Sequence, residues 1–151
     1  MSLVESLKKA QIFTGLSQKE FETVATLCQQ RTYNKEDVIL SEGETSRELF
    51  IIDQGTVEVS LTTLDQSSTP LINLGEGQVF GEMTLVDRGA RSATVKATHD
   101  ETILHVIPHK ALLELCQDNL SIGFKIMRNL AAEMSLKLRY RNIAAQMDAS
   151  E

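Results

Sequence analysis

Long apolar runs are missing from this 151-residue chain. No stretch approaches the roughly 18–20 apolar residues that a membrane-spanning helix needs, and residues 1–30 lack a secretory-signal pattern. A cytoplasmic protein with no membrane partner is therefore the expectation. Cysteine is scarce as well: Cys28 and Cys116 stand alone among apolar residues, without CxxC spacing. That excludes a disulfide framework and predicts two reduced core thiols. His99, His105 and His109 do not complete a metal site, because zinc and iron–sulfur centres need more ligands at tighter spacing. Neither a metal nor a cofactor is expected.

Positive charge is also short. Fifteen Lys and Arg face 21 Asp and Glu, a net charge of −6 with a pI near 5.1. Nucleic-acid binding draws most of its affinity from neutralising phosphates, so this balance argues against a nucleic-acid partner. The charge is uneven: residues 121–151 carry +2, with Lys125, Arg128, Lys137, Arg139 and Arg141 as the cations, and the remainder carries −8. We read the basic tail as a solvated helix face. What the chain does have, 42% hydrophobic and 24% charged residues, is the make-up of one ordinary globular domain with a real core.

Its organisation is helix, strand, helix. Leu3, Val4, Leu7 and Ala10 recur at helical spacing, and Ser17 with Glu20 forms a capping box ahead of Phe21, Val24, Ala25 and Cys28. From Arg31 short β-type runs follow at 38–40, 49–52, 56–61, 71–74, 93–97 and 102–107, punctuated by turns; Gly55 marks a tight hairpin that needs positive φ. The segment 62–69 reads as a polar loop. After Pro108 a short helix covers 109–117, and Asn119 caps a longer one to about Met147. On it Leu120, Phe124, Met127, Ala131, Met134 and Leu138 make an a/d seam. The expected fold is α+β, mainly β: a jelly-roll β-barrel (31–107) flanked by N-terminal helices (1–30) and a long C-terminal amphipathic helix (within 108–147), one domain over 1–151.

Residues 80–95 read FGEMTLVDRGARSATV. A short helix beginning after Gly81 aims free backbone amides at one point. Arg91 adds a planar fork matched to phosphate oxygens, Ser92 a hydroxyl, and Glu82 a carboxylate that accepts from hydroxyls. A phosphate clamp beside a hydroxyl acceptor describes a sugar-phosphate pocket.

This segment closely resembles the phosphate-binding cassette of cyclic nucleotide-binding domains, the family of the catabolite activator and of protein kinase A regulatory subunits. Its pattern F-G-E-x-x-L, a short loop, then R-[STA]-A-T-V is met in full. EGETSRELFIIDQGTVEVSL and LGEGQVFGE resemble the family's preceding strands. The resemblance implies that Glu82 accepts from the ribose 2′-OH and that Arg91 pairs with a cyclic phosphate oxygen. The amides of Met83 and Thr84, with Gly81 and Ser92, complete the cradle. It implies further that Val59 and Leu71 pack on the base, that Tyr140 stacks as a lid, and that Arg141 and Asn142 reach the base edge. Ala90 stands where the family often has proline, and Thr84 where a small apolar residue is usual.

The implied function is a non-enzymatic sensor that binds cAMP in preference to cGMP and relays binding through its C-terminal helix. The alternative is a docking module of the same fold whose pocket is unused. The a/d seam has two readings: packing on the chain's own barrel, or pairing with a second copy, with Phe124 and Met127 against the barrel and Met134 and Leu138 toward the partner. No helix-turn-helix segment follows, which leaves a free-standing sensor or part of a longer chain, with an unidentified effector.

Overall fold

The computed structural model describes residues 2–87 and 89–149, with side chains up to residue 147; Met1 and the cassette's Arg88 lie outside the described residues. The N-terminal segment forms α1 (Leu3–Lys9), a 3-10 turn (Gln11–Phe13) and α2 (Gln18–Ala25). Both helices begin with a complete capping box, Ser2 with Glu5 and Ser17 with Glu20. Eight strands follow: β1 (Gln29–Tyr33), β2 (Val38–Leu40), β3 (Glu48–Gln54), β4 (Val57–Thr62), β5 (Ser68–Leu74), β6 (Val79–Phe80), β7 (Thr94–Ala97) and β8 (Thr102–Pro108). A short helix α3 (Met83–Asp87) separates β6 from β7, and α4 (His109–Asp118) and α5 (Leu120–Ala149) close the chain.

The strands form two four-stranded antiparallel sheets ordered β1-β8-β3-β6 and β2-β7-β4-β5, the jelly-roll arrangement. They are two open sheets rather than one closed barrel. The run Leu49–Ile52 is buried throughout, because the first sheet is covered on both faces at β3. Phe50 and Ile52 turn toward the second sheet with Leu104 and Val106, and the Phe50 and Phe80 rings stack at 4.7 Å. Leu49, Ile51 and Ile107 turn the other way, into a core shared with Leu7, Phe13, Phe21, Leu112, Ile122 and Ile126 of the helices. His105 on that side lies 3.7 Å from Asp53, which also accepts a hydrogen bond from the buried Ser6 hydroxyl of α1.

The structure refines the sequence expectations in detail. β1 was not foreseen; Gln29–Tyr33 is a polar edge strand with no apolar alternation to betray it, and Cys28 lies beyond the end of α2. Of the expected 62–69 loop, residues 63–67 form the turn between β4 and β5, in which the Asp65 carboxylate accepts from the Ser67 amide at 3.1 Å, and only Thr62, Ser68 and Thr69 belong to the strands. Gly55 has the expected positive φ of 89°, and a Cβ there would lie 2.5 Å from the Thr102 hydroxyl. The largest change concerns α5. Its inward face is Ile122, Ile126 and Leu130, whereas Leu120 and Phe124 are exposed at 77% and 66%, so Phe124 does not pack on the sheets.

The first turns of α5 are fastened by several polar contacts. The Asn119 carboxamide accepts from the Ile122 amide, and Lys125 meets Glu20 of α2 at 2.7 Å. The Asn129 side chain donates to the carbonyls of Ile12 and Thr14, both at 2.9 Å. Gly123 lets α5 touch α4, since a Cβ there would lie 2.4 Å from the Cys116 carbonyl oxygen. From Ser135 outward every described side chain is exposed.

Two predictions follow from these contacts. Gly123→Ala gains at most about 1 kcal/mol in helix propensity but overpacks a backbone contact at a cost of about 1–3 kcal/mol. Its melting temperature, followed by circular dichroism, falls below that of the parent. For Glu20, hydrogen bonds from Lys125, Ser17 and Ser121 hold the carboxyl at about 2, below its ordinary 4.5. Its contribution is therefore present above pH 4.5 and is lost as pH falls toward 2. The stability gap between the parent and Glu20→Gln narrows over that interval in acid-unfolding curves.

Candidate functional site

A cavity of about 590 Å³ opens between the second sheet, the cassette and α5. One wall is a cross-strand row. Ile72 of β5 pairs with Val59 of β4, Val59 with Val95 of β7, and Val95 with Leu40 of β2, and all four line the cavity. Because side chains alternate across a strand, Leu71 falls on the other face of β5 and does not line the cavity; Ile72 takes the place assigned to it. Val59 lines the cavity.

The floor is the cassette. Gly81 has φ +84°, and a Cβ there would stand 2.6 Å from the Glu48 carbonyl oxygen and 3.0 Å from Arg91 Nη1, so only glycine fits. The Gly81 carbonyl accepts from Arg91 Nη1 at 3.2 Å and from His109 Nε2 at 3.0 Å. Since a carbonyl only accepts, His109 carries its proton on Nε2, leaving buried Nδ1 as a bare acceptor. Burial lowers the His109 pKa and agrees with this neutral ring.

Arg91 is 4% exposed and works within the cassette as well as facing the cavity. Beyond Gly81, Nη1 donates to the Thr84 hydroxyl at 2.8 Å, Nη2 to the Glu48 carbonyl at 2.8 Å, and Nε to the Ser46 hydroxyl at 3.4 Å. Thr84, which departs from the family's usual residue, thus has its hydroxyl engaged inside the cassette. The backbone of Arg91 is tied to the β2–β3 connection through Gly43 and Glu44. Arg47, which the sequence gave no reason to single out, donates to the carbonyls of Gly89 and Thr84 and braces the loop after α3.

Glu82 is 7% exposed and lines the cavity beside Met83, Thr84 and Ser92. Burial raises its carboxyl pKa above the ordinary value, and Glu133 adds to the rise while Lys137 opposes it. Lys137 of α5 places Nζ 3.3 Å from Glu82 Oε1 and 3.1 Å from Glu133 Oε1. Burial works against the Lys137 ammonium, yet the two carboxylates outweigh it and raise its pKa. Neither Lys137 nor Glu133 was foreseen as a site residue. In the sequence Lys137 is one cation of a basic helix face, and only folding brings it to Glu82.

The structure therefore brings together Val59, Gly81, Glu82, Met83, Thr84, Arg91 and Ser92 around one cavity. It does not bring Tyr140, Arg141 or Asn142 there; they are exposed on the outer turns of α5 and do not line it. Among the described residues no cluster of three or more His, Cys, Asp or Glu could hold a metal, and no helix is long and apolar enough to cross a membrane.

Comparison with known proteins agrees with this cassette. The cyclic AMP receptor protein of Thermus thermophilus is 30% identical over 133 residues, covering 88% of this chain and 59% of that protein. A cGMP-dependent protein kinase of Eimeria tenella is 27% identical over 135 residues, covering 89% of this chain and 13% of the kinase. The crystal structure of the Thermus thermophilus catabolite activator protein superposes with a TM-score of 0.81 at 30% identity, over 91% of this chain and 62% of that one. The chain thus spans less than two-thirds of each. The model of the cyclic nucleotide-binding domain matches residues 30–119, which hold all eight strands but the first residue of β1 and the whole cassette, and the chain belongs to that family.

Proposed function

We propose that the cavity binds a purine 3′,5′-cyclic nucleotide, cAMP in preference to cGMP, and that the domain acts as a regulatory sensor rather than an enzyme. The observation that carries this reading is the pairing of buried Glu82 and buried Arg91 on one cassette beside an apolar wall. Glu82 accepts from the ribose 2′-OH. Arg91 and Ser92, with the amides of Met83 and Thr84 around Gly81, hold the cyclic phosphate. The row Leu40, Val59, Val95 and Ile72 receives the purine face. Preference for cAMP is supported by the 30% identity to a cyclic AMP receptor protein.

The exposed stripe Leu120, Phe124, Ala131 and Leu138 supports pairing of α5 with a second copy, since its heptad spacing suits a coiled-coil seam. Ligand in the cavity then reaches an effector through the position of α5.

At about a hundredfold excess over Kd, cAMP stabilises the protein by about 2.7 kcal/mol and raises Tm by roughly 5–10 °C. cGMP raises it less. Differential scanning calorimetry checks this, and no shift with either nucleotide would leave the docking module as the reading. Arg91→Lys keeps the charge and loses the fork; isothermal titration finds its affinity for cAMP reduced about 10–100-fold. Sedimentation equilibrium finds twice the 16.8 kDa chain mass, and Phe124→Glu with Leu138→Glu returns the single-chain mass.

A further inference from the structure

A hydroxyl group is at once a donor and an acceptor, so a site that recognises one fully presents both an acceptor and a donor. Glu82 supplies the acceptor. Its buried carboxylate sits at the cavity with Lys137 Nζ 3.3 Å from Oε1. An ammonium carries three donors, and Lys137 directs two of them at Glu82 and Glu133, which leaves a third. Glu133 and Lys137 stand one turn apart on α5, so their pair fixes the side chain on its own helix while it reaches across to the cassette. The same three residues line the cavity.

The charges at this point belong to two elements. Glu82 and Arg91 come from the cassette, and Glu133 and Lys137 from α5. Lys137 lies two turns beyond Leu130, the last buried side chain of α5 among the described residues, and ties this outer part of the helix to the cassette. Whatever sits on Glu82 therefore adjoins the contact that holds the outer part of α5.

We propose that Lys137 is a ligand-binding residue of α5: its ammonium donates to the oxygen of the same sugar hydroxyl that donates to Glu82, so that one hydroxyl joins the cassette to the helix. The reading rests on the cyclic-nucleotide function proposed above and adds a residue to its sugar site. It makes two demands. The contribution of Lys137 to affinity depends on the presence of that hydroxyl, and bound nucleotide holds the outer turns of α5 more firmly than the empty cavity does.

The test is a cycle with two ligands and two proteins, cAMP and 2′-deoxy-cAMP against the parent chain and Lys137→Met, measured by isothermal titration. Lys137 is half exposed, and circular dichroism checks that the variant is folded. Lys137→Met weakens cAMP binding about tenfold, the worth of one charge-assisted hydrogen bond, and changes 2′-deoxy-cAMP binding by less than about twofold. In amide hydrogen exchange, cAMP slows residues 131–147 of the parent and leaves those of Lys137→Met unchanged. An equal loss on both nucleotides overturns the proposal, since Lys137 then acts only as a nearby charge. Equal slowing of α5 in both proteins overturns it too. If neither nucleotide binds the parent chain, it is the cyclic-nucleotide reading that fails, a result distinct from either.

Discussion

The sheet β1-β8-β3-β6 must be covered on both faces, and the rest of the molecule is arranged by that constraint. Leu49 to Ile52 on β3 are consecutive and fully buried, and consecutive strand residues point to opposite sides. One side is met by the second sheet and the other by α1, α2, α4 and α5. The second sheet is under no such demand: β5 is exposed along almost its whole length. The cavity adjoins this less heavily covered sheet, where the row from Leu40 to Ile72 forms its wall and runs from buried Leu40 and Val95 through half-buried Val59 to exposed Ile72.

Within the cavity the decisive feature is economy of charge. Arg91 and Glu82 are both buried, and burial disfavours the ionised form of each. Arg91 is stabilised by the Gly81 carbonyl and Thr84 hydroxyl of the cassette and by the Glu48 carbonyl and Ser46 hydroxyl around the start of β3. It consequently shapes the turn that it also equips, and Gly81 is required there by the closeness of Glu48 and Arg91. Glu82 receives its counter-charge from outside the cassette, from Lys137 on α5.

α5 accordingly has two parts. The first turns are docked through Ile122, Gly123, Ile126 and Leu130, with Lys125 and Asn129 tying them to the N-terminal helices. The outer turns expose apolar residues, and Lys137 among them meets Glu82 of the cassette. Of the expected seam, Met127 packs against the core, whereas Leu120, Phe124 and Leu138 face solvent. On a helix of this length several stripes of apolar residues coexist, and spacing alone does not say which one meets the core.

Much of this protein was legible in local sequence. The Ser17–Glu20 capping box, the positive φ at Gly55, six of the strands and the cassette all depend on residues near one another in the chain, and short-range sterics and hydrogen bonding act at that range. The edge strand Gln29–Tyr33 escaped because it shows no apolar alternation. Leu71 was chosen over Ile72 because a one-residue difference in register reverses the face, and register is set by the partner strand. The pairing of Lys137 with Glu82, 55 residues apart, and the bracing of the cassette by Arg47 were decided by tertiary structure alone. Such contacts join elements whose relative placement follows from the packing of the whole core, and no spacing within either segment encodes them.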